Sequence, residues 1–102
     1  MRAGPQGRSS PPNIGLRKAV KLLYFAWVRQ KIGLPEEEVA PPPSVTTVAG
    51  LVDFLRQRGP GYEAAFRDLK GLRVAINQHH SGFDAAIGPH DEVAFFPPVT
   101  GG

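Results

Sequence analysis

The chain has 102 residues, 41% of them hydrophobic, with 12 basic and 9 acidic side chains, a formal charge of +3 and no cysteine. That length supports one domain with a modest core, and the missing cysteine excludes from this chain a thiol nucleophile, a persulfide, thiolate-bound zinc and a cysteine-ligated iron–sulfur cluster. Residues 1–35 carry seven basic side chains and no acid, whereas residues 36–102 carry five basic and nine acidic ones. The basic stretch lacks interleaved aromatic residues, which argues against a nucleic-acid partner, and no apolar run approaches the roughly 18 residues of a membrane span.

Residues 1–18 are rich in Gly, Pro and Ser and hold no large apolar residue between Met1 and Ile14. Such a segment buries too little surface to offset its ordering entropy, so a disordered basic extension is expected there. It has neither the apolar region of a secretory leader nor the periodicity of a transit peptide, and a cytoplasmic location is expected. A folded domain is expected over residues 19–96. Val20 to Phe25 reads as a strand, and Ala26 to Ile32 as a short helical turn closed by Gly33. Glu36 to Ala40 reads as an edge strand whose acid run is a solvated face.

Pro41-Pro42-Pro43 interrupts the pattern, and Thr46 or Thr47 is placed to cap the next helix. Val48, Leu51, Val52 and Leu55 recur at the spacing of one buried helical face, and Gly59-Pro60 marks a stop. This predicts one main helix over about residues 47–58, in which Gly50 costs about 1 kcal/mol relative to alanine. A short helical piece around Tyr62 to Leu69, a strand over Leu72 to Asn77 and a hairpin arm over His79 to Phe83 follow. Strands before and after one helix, without repeats, define a small α+β domain.

The last strand, Glu92 to Phe96, sends Val93 and Phe95 one way and Ala94 and Phe96 the other, and its apolar content predicts that both faces are covered. Pro97-Pro98 removes two backbone donors and ends sheet pairing. Residues 97–102 are therefore expected to leave as an extended tail that spans up to about 20 Å and ends in Gly101-Gly102. Two glycines without Cβ atoms enter a channel closed to other residue types, which suits a terminal carboxylate delivered to another protein's active site.

Three pieces, Leu23-Tyr24-Phe25-Ala26-Trp27-Val28-Arg29, Asn77-Gln78 and Asp91-Glu92-Val93-Ala94-Phe95-Phe96-Pro97-Pro98-Val99-Thr100-Gly101-Gly102, resemble the small, ubiquitin-like sulfur-carrier subunits of molybdopterin synthase. The resemblance runs from about Val20 to Gly102. It implies a β-grasp fold: a twisted mixed sheet of about five strands across one main helix, with the first and last strands adjacent and parallel. It also implies that Gly102 is adenylated and converted to a thiocarboxylate, with Gly101 as its unhindered approach. The sulfur then passes to cyclic pyranopterin monophosphate within the large subunit, where catalysis resides.

The partners implied are that large subunit, in a heterotetramer, a ubiquitin-activating-like adenylyltransferase that uses ATP and magnesium, and a sulfur-donor protein. No cofactor or metal is expected on this chain. The same resemblance assigns Phe25, Arg29, His80, Phe96, Pro97, Pro98, Val99 and Thr100 to partner contacts, against the alternatives that the two phenylalanines are core residues and that Arg29 is a solvated arginine on a short helix. The sequence departs from the family pattern at His90, where glycine is usual, and at His79-His80. Adjacent strand histidines point to opposite faces, which disfavours a shared metal. A sulfur carrier for thiamine or another pathway, a ubiquitin-like protein modifier and a plain interaction domain are the competing readings.

Overall fold

The computed structural model describes residues 19–98. The expectations for residues 1–18 and for Val99, Thr100, Gly101 and Gly102 lie outside the described residues.

Strand β1 (Val20–Tyr24) buries Val20, Leu22 and Tyr24 and turns Lys21 outward. Helix α1 (Ala26–Ile32) follows and is closed by Gly33, whose φ of 94° lets its N–H reach the Arg29 carbonyl at 2.7 Å. The chain returns as β2 (Glu36–Val39), antiparallel to β1. Helix α2 (Val48–Arg56) buries the expected Val48, Leu51, Val52 and Leu55. Of the two threonines available, Thr47 caps it, its hydroxyl accepting from the Gly50 N–H at 3.2 Å. Further N–H groups at this end are satisfied from outside: Val48 and Ala49 donate to the Ala85 and Phe83 carbonyls. Nothing in the packing requires Gly50, since a Cβ there would meet no atom nearer than 3.6 Å.

Gly59-Pro60 does more than stop α2, because Pro60 opens helix α3 (Pro60–Phe66). The second helical piece therefore starts and ends earlier than residues 62–69, and a short 3-10 turn over Leu69–Gly71 completes the connection. Strand β3 (Arg73–Ile76) and strand β4 (His79–Ser81) form a hairpin. Asn77 and Gln78 turn it with φ of 51° and 72°, the left-handed pair that a two-residue hairpin loop demands. Strand β5 (Glu92–Phe96) ends the described domain.

The five strands make one mixed sheet in the order β2-β1-β5-β3-β4, with β1 and β5 parallel and the other pairs antiparallel. The last strand of the chain is thus the central strand of the sheet. The helices cover one face only. There Phe95 lies fully buried, stacked on Tyr24 at 6.3 Å and meeting Phe66 edge-on at 4.9 Å. The expectation that both faces of the last strand are covered is corrected: Val93 and Phe95 are buried, but Ala94 and Phe96 remain partly open on the other side. An all-apolar run does not reveal which of its faces the helices will take.

The acid run of β2 also needs correction. Glu36 and Glu38 are exposed, but the Glu37 side chain is only 13% exposed. It accepts hydrogen bonds from the Tyr24 hydroxyl at 2.8 Å and the Tyr62 hydroxyl at 2.6 Å, and Arg58 approaches it at 3.4 Å. Period-2 alternation explains this, since register puts Glu37 on the face shared with Leu22 and Tyr24.

Candidate functional site

The uncovered face of the sheet can be read from register. In the row nearest the end of β5, Phe96 stands opposite Arg73 of β3, and Phe25 lies one residue beyond the end of β1. The next row holds Glu36, Leu23, Ala94, Ala75 and His80 from β2, β1, β5, β3 and β4. Below it come Glu38, Lys21 and Glu92. Phe25, Leu23, Ala94 and Phe96 therefore form an apolar strip over Ala75, which is only 7% exposed, and it lies at the edge where Pro97 carries the chain off the sheet.

Phe25 is 47% exposed, which rejects the core reading for it. Its position has a local cause. Phe25 donates its N–H to the Phe95 carbonyl at 3.1 Å, and Ala26 then takes a φ of 55°, reversing the chain into α1. A non-glycine residue held in this region costs about 1–2 kcal/mol, so the surrounding structure must impose it. Phe96 is half-buried and meets His80 edge-on, with ring centroids 5.4 Å apart and planes at 78°. His79 belongs to the opposite face of β4, and the register thus separates the two imidazoles. Pro97 and Pro98 are half-buried, and Arg29 is exposed on α1. Phe96 and His80 are in contact, Phe25 stands beside Phe96 by register and Pro97 follows it directly, whereas Arg29 projects from the helix that follows Phe25.

Sequence reasoning missed Leu23, Ala75, Ala94 and Arg73. Leu23 had a signal: it follows Leu22 directly, so one of the two had to face away from the core. The strip is framed by a polar anchor at the far end of β5. Asn77 donates from Nδ2 to Asp91 Oδ1 at 3.0 Å and accepts from the Glu92 N–H at 3.0 Å, while Asp91 Oδ2 accepts from the Gly88 N–H. These bonds set where β5 begins and hence which residues reach the open face.

The perturbed titrating groups lie away from the strip. Burial, and then the hydrogen bond to Glu37, push the Tyr24 hydroxyl above the usual tyrosine range, and Tyr62 rises for the same reasons. The Arg56 guanidinium, 2.7 Å away, holds Glu63 below the usual carboxylate range. A groove of about 240 Å³ lined by Val20, Pro41, Pro42, Pro43 and Ile87 opens at the other end of the sheet from Phe96. Among the described residues no three His, Asp or Glu side chains gather as metal ligands, and no helix is long and apolar enough to cross a membrane. What the described residues offer is an aromatic patch suited to protein contact, at the end of β5 where Pro97-Pro98 stops the sheet pairing.

A mixed five-strand sheet with parallel outer-sequence strands side by side, wrapped on one face by α2 and its companions, is a ubiquitin-like β-grasp domain. The chain belongs to the ThiS family, which it matches over residues 22–102. It is 41% identical over 83 residues to the molybdopterin synthase sulfur carrier subunit of Escherichia coli (strain K12), covering 81% of this chain and 99% of that one. The Mycobacterium tuberculosis protein of the same name is 36% identical over 84 residues, covering 81% and 96%. Among solved structures, SAMP1 from Haloferax volcanii superposes with a TM-score of 0.67 at 25% identity over 82% of this chain and 99% of that one. The putative molybdopterin converting factor subunit 1 from Pyrococcus furiosus gives 0.61 at 26% identity, over 79% and 98%.

Proposed function

We propose that the protein is the sulfur-carrying small subunit of a molybdopterin synthase, acting in molybdenum-cofactor biosynthesis. The observation that carries this reading is the match to curated sulfur carrier subunits at 36–41% identity across nearly their whole length. The Gly102 carboxylate is a poor electrophile until activated. A ubiquitin-activating-like adenylyltransferase, using ATP and magnesium that this chain does not itself hold, joins a carboxylate oxygen to the nucleotide α-phosphate and releases pyrophosphate. Hydrosulfide released by a donor protein then attacks the acyl carbon, the C–O bond to phosphate breaks, AMP departs, and loss of the S–H proton leaves the thiocarboxylate.

The resulting thiocarboxylate is carried to the large subunit, in a heterotetramer. There its sulfur replaces an oxygen substituent on a carbon of cyclic pyranopterin monophosphate, the C–O bond breaking as the C–S bond forms, and water then hydrolyses the acyl–sulfur bond to regenerate the Gly102 carboxylate and leave the sulfur on the pterin. Gly101 gives access to the channel, and Pro97, Pro98, Val99 and Thr100 span the distance to it. Phe25 and Phe96 anchor the domain on its partners, with His80 and Arg29 at the margins. A cytoplasmic location suits an ATP-dependent activation step.

The test is mass spectrometry of the full chain after incubation with the adenylyltransferase, ATP, magnesium and a sulfur donor. The expected product gains the mass of one oxygen-to-sulfur exchange at Gly102, and a chain lacking Gly102 gains nothing while folding normally. No gain with an enzyme competent on its own carrier overturns the proposal. A second reading, protein modification, is favoured by the likeness to SAMP1, a small archaeal modifier protein. Isopeptide-linked conjugates of this chain on lysines of other proteins support that reading; thiocarboxylate with no conjugates supports the first.

A further inference from the structure

The open face of the sheet is polarised, and the asymmetry specifies what its partner must look like. On the β3–β4 side of the apolar strip, Phe96 is neighboured by an arginine and a histidine. Arg73 is its cross-strand partner on β3, and His80 on β4 meets its ring edge-on at 5.4 Å. Both are exposed, and among the described residues no carboxylate pairs with Arg73. On the other side, Glu36 and Glu38 of β2 are exposed, with Lys21 alone near them at 3.9 Å from Glu36. Glu92 adds a further acid to the lower row.

A protein that covers Phe96 must also cover the groups beside it. Burying a guanidinium without a carboxylate is costly, and the ring nitrogens of an imidazole each need a partner once water is excluded. A purely apolar partner surface would leave both unsatisfied. Resting on the docking role given above, we propose that the partner face presents acidic side chains to Arg73 and His80 and basic ones to Glu36 and Glu38. The aromatic anchors supply area, and the charge polarity fixes the orientation in which the terminal segment is delivered. Complementary charges of this kind act mainly through association rate and register.

The experiment measures association and dissociation of the full chain with the large synthase subunit of the same organism, at low and high salt. Arg73→Glu is expected to slow association at low salt by about tenfold, with the loss shrinking as salt screens it. His80→Leu keeps apolar cover beside Phe96 and removes the ring nitrogens, and is expected to speed dissociation by about tenfold. Arg67→Glu, at the C-terminal cap of α3 behind the sheet, leaves both rates unchanged, and thermal unfolding checks that each variant is folded. Wild-type rates for Arg73→Glu, or tighter binding by His80→Leu, overturn the proposed polarity. If the wild-type chain is loaded with sulfur and binds while the variants behave like it, the sulfur-carrier reading stands and only the polarity fails. A wild-type chain that neither loads nor binds overturns both.

Discussion

Phe95 and Phe96 are neighbours on one strand and occupy opposite environments. Phe95 is fully buried between Tyr24 and Phe66, whereas Phe96 lies half-open against His80. The same contrast runs across the sheet: Val20, Leu22 and Tyr24 face the helices while Lys21 and Leu23 face away. One periodicity therefore builds the core and displays the proposed docking surface, and the two should respond separately to mutation. The sharpest test is the pair itself. Phe95→Ala is expected to cost about 3–5 kcal/mol, a large part of the roughly 5–15 kcal/mol that holds a domain of this size together. Phe96→Ala is expected to cost under about 1 kcal/mol yet weaken binding to the large subunit. Denaturant unfolding of both, with binding of the second, checks this; equal stability losses would break the comparison.

A second test asks how tightly the covered side is closed. Gly61, in the first turn of α3, passes so near the Lys31 carbonyl at the end of α1 that an added Cβ would overlap that backbone oxygen. Backbone cannot swing aside as a long side chain does. Gly61→Ala is therefore expected to destabilise by about 1–3 kcal/mol or more, read as a lower denaturation midpoint. A neutral result would show that α1 and α3 slide freely over the core.

Much of the covered face was legible from pattern. Apolar spacing located α2, Gly33 marked the end of α1, and Pro97-Pro98 marked the end of β5, because each rests on a local rule that needs no partner. Gly61 was invisible for the opposite reason: its constraint comes from a carbonyl thirty residues away in sequence. The open face was half legible. Resemblance singled out Phe25 and Phe96, but Arg73 and Leu23 join them only through strand register, which no single strand contains. Glu37 was misread because an acid run looks solvated until the two tyrosines that claim its middle member, 13 and 25 residues away, are in place.

That carboxylate makes the covered face sensitive to alkali. The chain has two tyrosines, and both donate to Glu37. Tyr24 is raised by burial and then by Glu37, so the folded state holds its proton more tightly than the unfolded chain does. Its contribution is fully present below the ordinary tyrosine range near pH 10 and is lost as pH rises through and beyond it. The expected outcome is stability that falls by up to about 1.4 kcal/mol per pH unit for Tyr24 above that range, with Tyr62 adding less because it is more exposed. Tyr24→Phe should flatten the slope, and ultraviolet tyrosinate absorbance should lag behind that of free tyrosine until the domain unfolds. A normal tyrosinate titration in folded protein would show that the Glu37 cluster opens freely.

The smallest effect concerns the turn that sets the phase of β5. His90 adopts a φ of 73°, and its N–H donates to the Ala19 carbonyl at 2.7 Å just before Asp91 and Glu92 lock onto Asn77. The backbone, not the exposed imidazole, makes these contacts. Glycine would relieve about 1–2 kcal/mol of left-handed strain and give back about 0.5–1 kcal/mol through its freer unfolded chain. His90→Gly is thus expected to stabilise by about 0.5–1 kcal/mol, measured as a raised denaturation midpoint. Large-subunit binding should not change, because His90 lies at the end of β5 remote from Phe96. A loss of stability would assign the imidazole a contact of its own, and a change in binding would mean that this turn, by shifting the phase of β5, decides which residues the open face presents.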